Sequence, residues 1–354
     1  MGLITFKSYC WSFGTTSFRT RNFNRTIEEQ LRLLREFWSL SQNKDKEWPA
    51  NEKLQSSYYD FMKTKGFVVG EANKKAKDAR EKTSGLVDIG LISPNRKLTN
   101  VGRELLMICD SNDFKDNNIF QIDKDSFIYL KQMLKMSYLI NGEIIKPFII
   151  FAYILSSVGT LSTAEFTYLL PLAINKETTD YVISSINGLR KRTCSIDDSI
   201  INCLMKMENY SSALNYFLDC GVTEEVIMDI GMNRKSRESD KPYFNLYKIL
   251  EKVFLNNDSN SIFDLLLATK DIKIGRLWRN YLFDTSNKNA IKNDPLSHLN
   301  RTLFSAIKNE SELKIAFFKI MHLFKAKATL SDYFDLNKRY LKTLLTAYCL
   351  LMEK

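Results

Sequence analysis

Glycine and proline are scarce, at 13 and 6 in 354 residues, well below the roughly 7% and 5% of ordinary usage. Turn-dense all-β folds are thereby disfavoured. Neither Gly-x-x-x-x-Gly-Lys-Ser/Thr nor Gly-x-Gly-x-x-Gly occurs, so the sequence offers no glycine loop of the kind that cradles phosphates or a dinucleotide. Histidine is rarer still. His298 and His322 are the only two, which excludes a His-Glu-x-x-His zinc site or a His-rich centre; each reads as a surface or partly packed imidazole, and no metal ligand is assigned. The six cysteines, Cys10, Cys109, Cys194, Cys203, Cys220 and Cys349, contain no Cys-x-x-Cys pair and read as reduced thiols of a cytoplasmic protein. Long apolar runs are missing too. The stretch Phe148 to Leu155 is broken by Ser156, Ser157 and Gly159, short of the ~18–20 residues that cross a bilayer. The opening Met1 to Phe6 has Phe6 where an N-myristoylation signal has Ser or Thr and lacks a secretory apolar run, so neither export nor a membrane anchor is expected.

What is present is positive charge. Lys and Arg number 51 against 41 Asp and Glu, a formal net charge of +10, with 44% hydrophobic and 26% charged residues. That composition describes a globular chain of one large domain or two to three small ones.

Along the chain the dominant period is helical. After an aromatic and basic arm, Trp11 to Asn24, the spacing of Ile27, Leu31, Leu34 and Trp38 predicts a helix with Thr26 as N-cap. A second runs from about Asn51 to Lys65 and closes at Gly66, and Phe67 to Val69 reads as a short strand. Next come Lys74, Lys75, Lys77, Arg80 and Lys82 on one helix, then Gly90-Leu91-Ile92, a short wing, and Leu98-Thr99-x-x-Gly102-x-x-Leu105-Leu106. Cations at a helix start oppose the dipole there unless an anion docks. The order helix, Gly-Leu-Ile, wing, helix is that of a winged helix, whose basic helix commonly enters the DNA major groove. A solvated basic helix is the competing reading.

The pattern recurs. Glu143 to Val158 reads as an apolar helix, Ser162 to Glu165 as a capping box, and Thr178 to Leu189 as a helix ending in Arg190-Lys191-Arg192. Another cluster, Arg234, Lys235 and Arg237, precedes the helix Tyr243 to Phe254. The remainder is helical, with Ala316, Phe317, Ile320, Leu323 and Phe324 as a core stripe. The expected fold is therefore mainly α with small β wings: a first winged-helix-like unit over 1–130, a second over 131–258, and a helical linker segment over 259–354.

Trp11 to Arg19, Lys77 to Arg80 leading to Gly85-Leu86, and Tyr333 to Tyr340 together resemble the signatures of the AlwI-like type IIS restriction endonucleases and their nicking relatives. The resemblance spans essentially the whole chain. It implies a helical DNA-reading half followed by a Mg²⁺-dependent nuclease domain that cuts outside a short asymmetric site. The chain stops after the linker-like segment, so it is expected to read DNA, to act as a monomer, and not to cleave alone. A second nuclease subunit would serve double-strand cleavage, and Mg²⁺ is expected in the nuclease domain rather than in this chain. The sole substitute for a catalytic set is Asp294-Pro295 with Glu312 and Lys314, in reversed order and at the start of a helical stripe, and no catalytic residue is assigned. Among the cations, Lys74, Lys75, Lys191 and Lys235 suit phosphates, while Arg80, Arg190 and Arg237 suit guanine edges. Arg19 and Arg21 suit a minor groove or the backbone. Lys77, Lys82, Arg192 and Arg234 complete the DNA-binding candidates. The main alternative is a winged-helix transcription or replication regulator that never cuts.

Overall fold

The computed structural model describes residues 4–13, 22–116, 121–233, 236–283, 285, 287–300 and 307–352, with side chains as far as residue 340. The helical expectation holds, with 66% helix and 3% strand. Among the described residues one two-stranded antiparallel sheet forms, and no helix is long and apolar enough to cross a membrane. The chain divides into two compact units, unit 1 with residues 1–10 and 161–331 and unit 2 with residues 11–160 and 332–354. Both are discontinuous, unlike the consecutive segments 1–130, 131–258 and 259–354, because local patterns carry no record of which distant segments pack together.

In unit 2, α1 (Phe23–Ser39) buries Ile27, Leu31, Leu34, Phe37 and Trp38 on one face. It starts a turn before Thr26, whose hydroxyl donates to the Asn22 carbonyl at 2.9 Å, so Thr26 is not the cap. Asn51 does cap α2 (Glu52–Thr64), accepting from the Leu54 amide at 3.0 Å. No strand forms at Phe67 to Val69. The segment has no neighbouring strand to complete its hydrogen bonds, and the Tyr59 hydroxyl instead accepts from the Ala72 amide at 2.9 Å. α3 (Lys75–Asp88) follows and α4 (Asn100–Ser111) closes the motif. Between them the expected wing is a turn held by a single antiparallel bridge, Ile92 to Leu98.

Thr99 fixes that turn. Its hydroxyl accepts from the Gly102 amide at 3.2 Å, capping α4, and lies 2.9 and 3.0 Å from the Gly90 and Leu91 carbonyls as donor. Gly102 lies so close that a Cβ there would stand 2.1 Å from the Leu91 carbonyl oxygen. The Leu-Thr-x-x-Gly spacing is thus a backbone-to-backbone contact. After α5 (Lys124–Lys135), the chain departs from the expected helix Glu143 to Val158: β1 (Tyr138–Ile140) pairs with β2 (Glu143–Ile145), and α6 (Pro147–Val158) begins only at the proline. Asn141 and Gly142, with φ of 52° and 91°, supply the two positive φ angles of a tight hairpin, and Pro147 suits the first helical position.

Unit 2 is completed from the far end of the sequence. The Phe13 amide donates to the buried Asn337 side-chain oxygen at 2.8 Å, Phe13 stacks on Tyr340 at 5.6 Å, and Phe23 meets Tyr340 edge-on at 5.1 Å. Asn337 and Tyr340 lie on the long helix Glu310–Met352.

Unit 1 contains α7 (Thr163–Tyr168), α8 (Lys176–Arg190), α9 (Ile196–Met205), α10 (Glu208–Asp219), α11 (Glu224–Ile230), α12 (Pro242–Phe254), α13 (Ile262–Ala268), α14 (Gly275–Leu282), α15 (Lys288–Asn293) and α16 (Pro295–His298). The Ser162 to Glu165 capping box is present, and Asn175 with Thr178 and Ser195 with Asp198 form two more. The Phe317 to Phe324 stripe is core: Phe317 meets Tyr247 at 5.2 Å and Trp278 at 5.8 Å. His322 is fully buried rather than partly packed, with Nε2 2.9 Å from the Ile230 carbonyl oxygen. Burial, then Lys325, hold its pKa far below the usual imidazole range.

Adding a methyl group at residue 102 forces the Leu91 carbonyl to move, so Gly102→Ala should destabilise the protein by about 2–3 kcal/mol. Gly66→Ala, where φ is +75° but the space is open, should cost only about 1 kcal/mol. Urea unfolding of the two variants checks the order; equal losses would contradict the close-contact reading.

Candidate nucleic-acid interface

The basic helix start is where the sequence places it. Lys74 occupies the N-cap of α3 without capping it, and no side chain satisfies the first turn. Lys74 is exposed and makes no ion pair among the described residues. Its neighbours are engaged. Lys75 reaches Asp60 at 2.9 Å and Glu71 at 3.0 Å, and hydrogen bonds to Asp60 and then Glu71 raise its pKa. Lys77 lies 3.5 Å from Glu81 and Lys82 lies 3.9 Å from Asp78. The first is an exposed pair and the second a half-covered one, and both are long enough to be weak. Arg80 donates to the Gln55 side-chain oxygen at 2.5 Å and stands 3.8 Å from Glu52, with 41% of its side chain exposed. It therefore ties α3 to α2 through Nη1 while its side chain stays partly exposed. The exposed stripe of α3 is Lys77, Glu81 and Asp88, with Ser84 and Lys82 half-covered.

The turn after α3 is equally fixed. Arg96 donates from Nε to the Thr83 hydroxyl at 2.9 Å and lies over the Trp48 ring at 5.6 Å. Lys97 covers Trp38 at 5.0 Å.

In unit 1 the arginines chosen as base readers face inward contacts. Arg190 grips Glu165 through Nε and a terminal nitrogen, at 3.1 and 3.2 Å. Glu165 in turn accepts from the Ser162 amide at 2.7 Å. Burial pushes the Glu165 carboxyl up, but hydrogen bonds from Arg190 and Ser162 outweigh it and leave the pKa below the ordinary value. Arg237 pairs with Asp229 at 2.8 Å and Glu225 at 3.2 Å. The forks that suit guanine are thus spent on carboxylates of α7 and α11. By contrast Lys191 and Arg192, at the end of α8, are exposed and without an ion pair. Arg192 adopts φ of 58°. The helix C-terminus favours these cations by itself, so their position demands an anion less than that of Lys74. Arg19, Arg21, Arg234 and Lys235 lie outside the described residues.

The acidic set proposed as a substitute catalytic centre is occupied by helix caps. Asp294 accepts from the Ser297 amide at 3.2 Å. Glu312 accepts from the Lys308 amide at 2.6 Å, while its own amide donates to Asn309 at 3.0 Å. Lys314 is buried, donating to the Cys220 carbonyl at 2.9 Å and pairing with Glu310 at 3.0 Å. These residues do not fit a Mg²⁺ site. No group of three His, Cys, Asp or Glu suited to a metal occurs among the described residues.

Two lysines were passed over in the sequence. Lys135 ends α5 and Lys146 follows β2, both exposed at the hairpin. The Asn141-Gly142 dipeptide was the signal that marks that hairpin.

Because Glu165 has 8% of its side chain exposed and Arg190 37%, Arg190→Ala should destabilise the protein by about 1–2 kcal/mol at pH 7. The depressed Glu165 pKa means this contribution is present above the unfolded value near 4.3 and is lost as pH falls through the folded one. Denaturant unfolding at pH 7 and at about pH 3 should therefore show the gap between wild type and variant closing in acid; a gap unchanged in acid would exclude the ion pair as its source.

Compared with known proteins, the chain finds no match among curated sequences. The family model of the AlwI restriction endonuclease matches residues 87–349. The match opens at the end of α3, takes in the Leu98 to Leu106 motif whose glycine contact was described above, and extends through the Tyr333 to Tyr340 segment that carries Asn337. It leaves out the basic start of α3 and the aromatic arm, so those rest on geometry and sequence alone. With well over half of its length matched, the chain belongs to the AlwI restriction endonuclease family.

Proposed function

We propose that this chain recognises a short asymmetric site in double-stranded DNA, as the DNA-reading part of a type IIS restriction or nicking endonuclease. The observation that carries the reading, beside family membership, is Lys74: an exposed, unpaired cation on an uncapped helix N-terminus. Unfilled amide groups and a positive dipole end already favour an anion there, and the lysine adds to that field instead of cancelling it. A DNA phosphate relieves both.

In this reading α3 and the turn at Ile92 to Leu98 form a winged-helix-like reader. Lys74, Lys77 and Lys82 contact phosphates, and Arg80 presents its guanidinium to a base edge. Lys191 and Arg192 supply a second phosphate contact. Arg190 and Arg237 hold the fold of unit 1 rather than reading bases. The protein acts in the cytoplasm and binds as a monomer, since an asymmetric site offers no two-fold axis for a symmetric dimer. Cleavage is assigned to a separate Mg²⁺-dependent nuclease domain, with a second subunit where both strands are cut.

Duplex binding should weaken steeply as salt rises between about 50 and 200 mM, and Lys74→Ala should lower the slope of log K against log salt by about one for every sequence. Arg80→Ala should cost about 1–3 kcal/mol on a selected site and little on a scrambled duplex. Fluorescence anisotropy at several salt concentrations reads both; a salt-independent affinity would reject the reading. Supercoiled plasmid incubated with this chain and Mg²⁺ or Mn²⁺ should stay supercoiled. Site-specific nicking that disappears in Glu312→Ala would overturn the assignment of cleavage to another domain.

A further inference from the structure

The hairpin Tyr138–Ile145 has one packed face and one bare face. Ile145 is buried and Tyr138 and Ile140 are half-covered, whereas Leu139 and Ile144 are each 73% exposed. These two are directly opposed across the strands, so they form a single apolar ridge standing in solvent. An isolated pair of strands has little stability of its own, and polar residues on its free face would satisfy solubility at lower cost. The ridge also has a charged frame. Lys135 lies three residues before β1, and Lys146 directly follows β2, continuing the alternation that puts Ile144 outward. Both lysines are exposed; Lys135 reaches only the Gln132 side-chain oxygen at 3.5 Å, and neither has a carboxylate partner. Glu143, on the opposite face of the strand, is the hairpin's one acidic residue.

We infer that this hairpin is an apolar wedge that enters the minor groove of duplex DNA, with Leu139 and Ile144 pressing between neighbouring base steps and Lys135 and Lys146 on the flanking phosphates. The inference rests on the proposed function. Charge and the DNA partner implied by the family select this occupant. Leu134, Ile149 and Tyr153 on the flanking helices are exposed as well, and one or two apolar residues are enough to unstack a base step and kink a duplex. Lys135 before β1 and Lys146 after β2 both stand at the open end of the hairpin, and their charge suits phosphates beside a groove and disfavours an apolar protein surface. The strands stand about 4.8 Å apart before side chains are counted, so the hairpin fills a groove about 6 Å wide only by opening it. Entry must therefore bend the DNA.

The test uses the full chain and a duplex selected by the chain from a randomised pool, carrying a donor dye at one end and an acceptor at the other. Wild type should raise energy transfer on binding. Leu139→Ser/Ile144→Ser, at positions already exposed, should keep the wild-type circular dichroism and Tm, weaken binding about tenfold or more, and abolish the rise in transfer. Lys146→Ala should reduce the salt slope by about one and leave the bend in place. Failure of wild type to bind any duplex rejects the proposed function and the wedge with it. Normal binding with unchanged energy transfer in the double variant rejects the wedge alone. A wild-type dimer in light scattering that becomes monomeric in the double variant also overturns the wedge, and assigns the ridge to a second copy of this chain.

Discussion

The Phe13 amide and the Asn337 side-chain oxygen meet at 2.8 Å although 324 residues separate them. Unit 2 depends on this contact, because its residues 11–160 cannot bury Phe13 without the later segment. A buried amide hydrogen needs an acceptor, and an unpaired one costs about as much as the hydrogen bond it lacks. Asn337 supplies the acceptor from a helix face that also brings Tyr340 against Phe13 and Phe23. Two of the three segments that carry the family resemblance thus prove to be one packing contact.

Arginine and lysine divide the charge between them. Arg190 and Arg237 each engage carboxylates through the planar guanidinium fork, and Arg80 reaches the Gln55 amide oxygen through one nitrogen, so that each holds a neighbouring helix. Ammonium groups at Lys74, Lys135, Lys146 and Lys191 lack such geometry and remain exposed. This follows from the chemistry of the groups: the guanidinium is more weakly hydrated and is worth more in a half-buried, directed contact. The excess of +10 is therefore not spread evenly over the fold, and the cations left for a partner are largely lysines.

Much of the fold could be read in the sequence, because its determinants are local. The stripe Ile27 to Trp38, the box from Ser162 to Glu165 and the Phe317 to Phe324 core depend on residues within a few turns of one another. The hairpin escapes a reading by period because Ile144-Ile145 leads almost directly into the apolar stretch Phe148 to Leu155, and only Asn141-Gly142 and Pro147 separate strand from helix. The candidate site was legible as a set of cations but not as a set of roles. Whether an arginine reads a partner or holds a carboxylate depends on Glu165 and Asp229, which stand 25 and 8 residues away from it in sequence, and spacing alone does not encode that pairing. The same holds for Glu312, whose resemblance to a catalytic acid ends at the Lys308 amide it caps.

Residues 161–331 all belong to unit 1, and the chain on both sides of them, 11–160 and 332–354, belongs to unit 2. In genetic terms unit 1 is an insert within a host, apart from its first ten residues. Two crossovers, near residues 160 and 331, exchange nearly the whole of it while leaving Phe13, Asn337 and the Thr99 to Gly102 contact in the host. A single crossover anywhere between them separates Phe13 from its own Asn337. Recombination among relatives therefore keeps the Phe13 to Asn337 contact intact most readily when it moves residues 161–331 as a cassette.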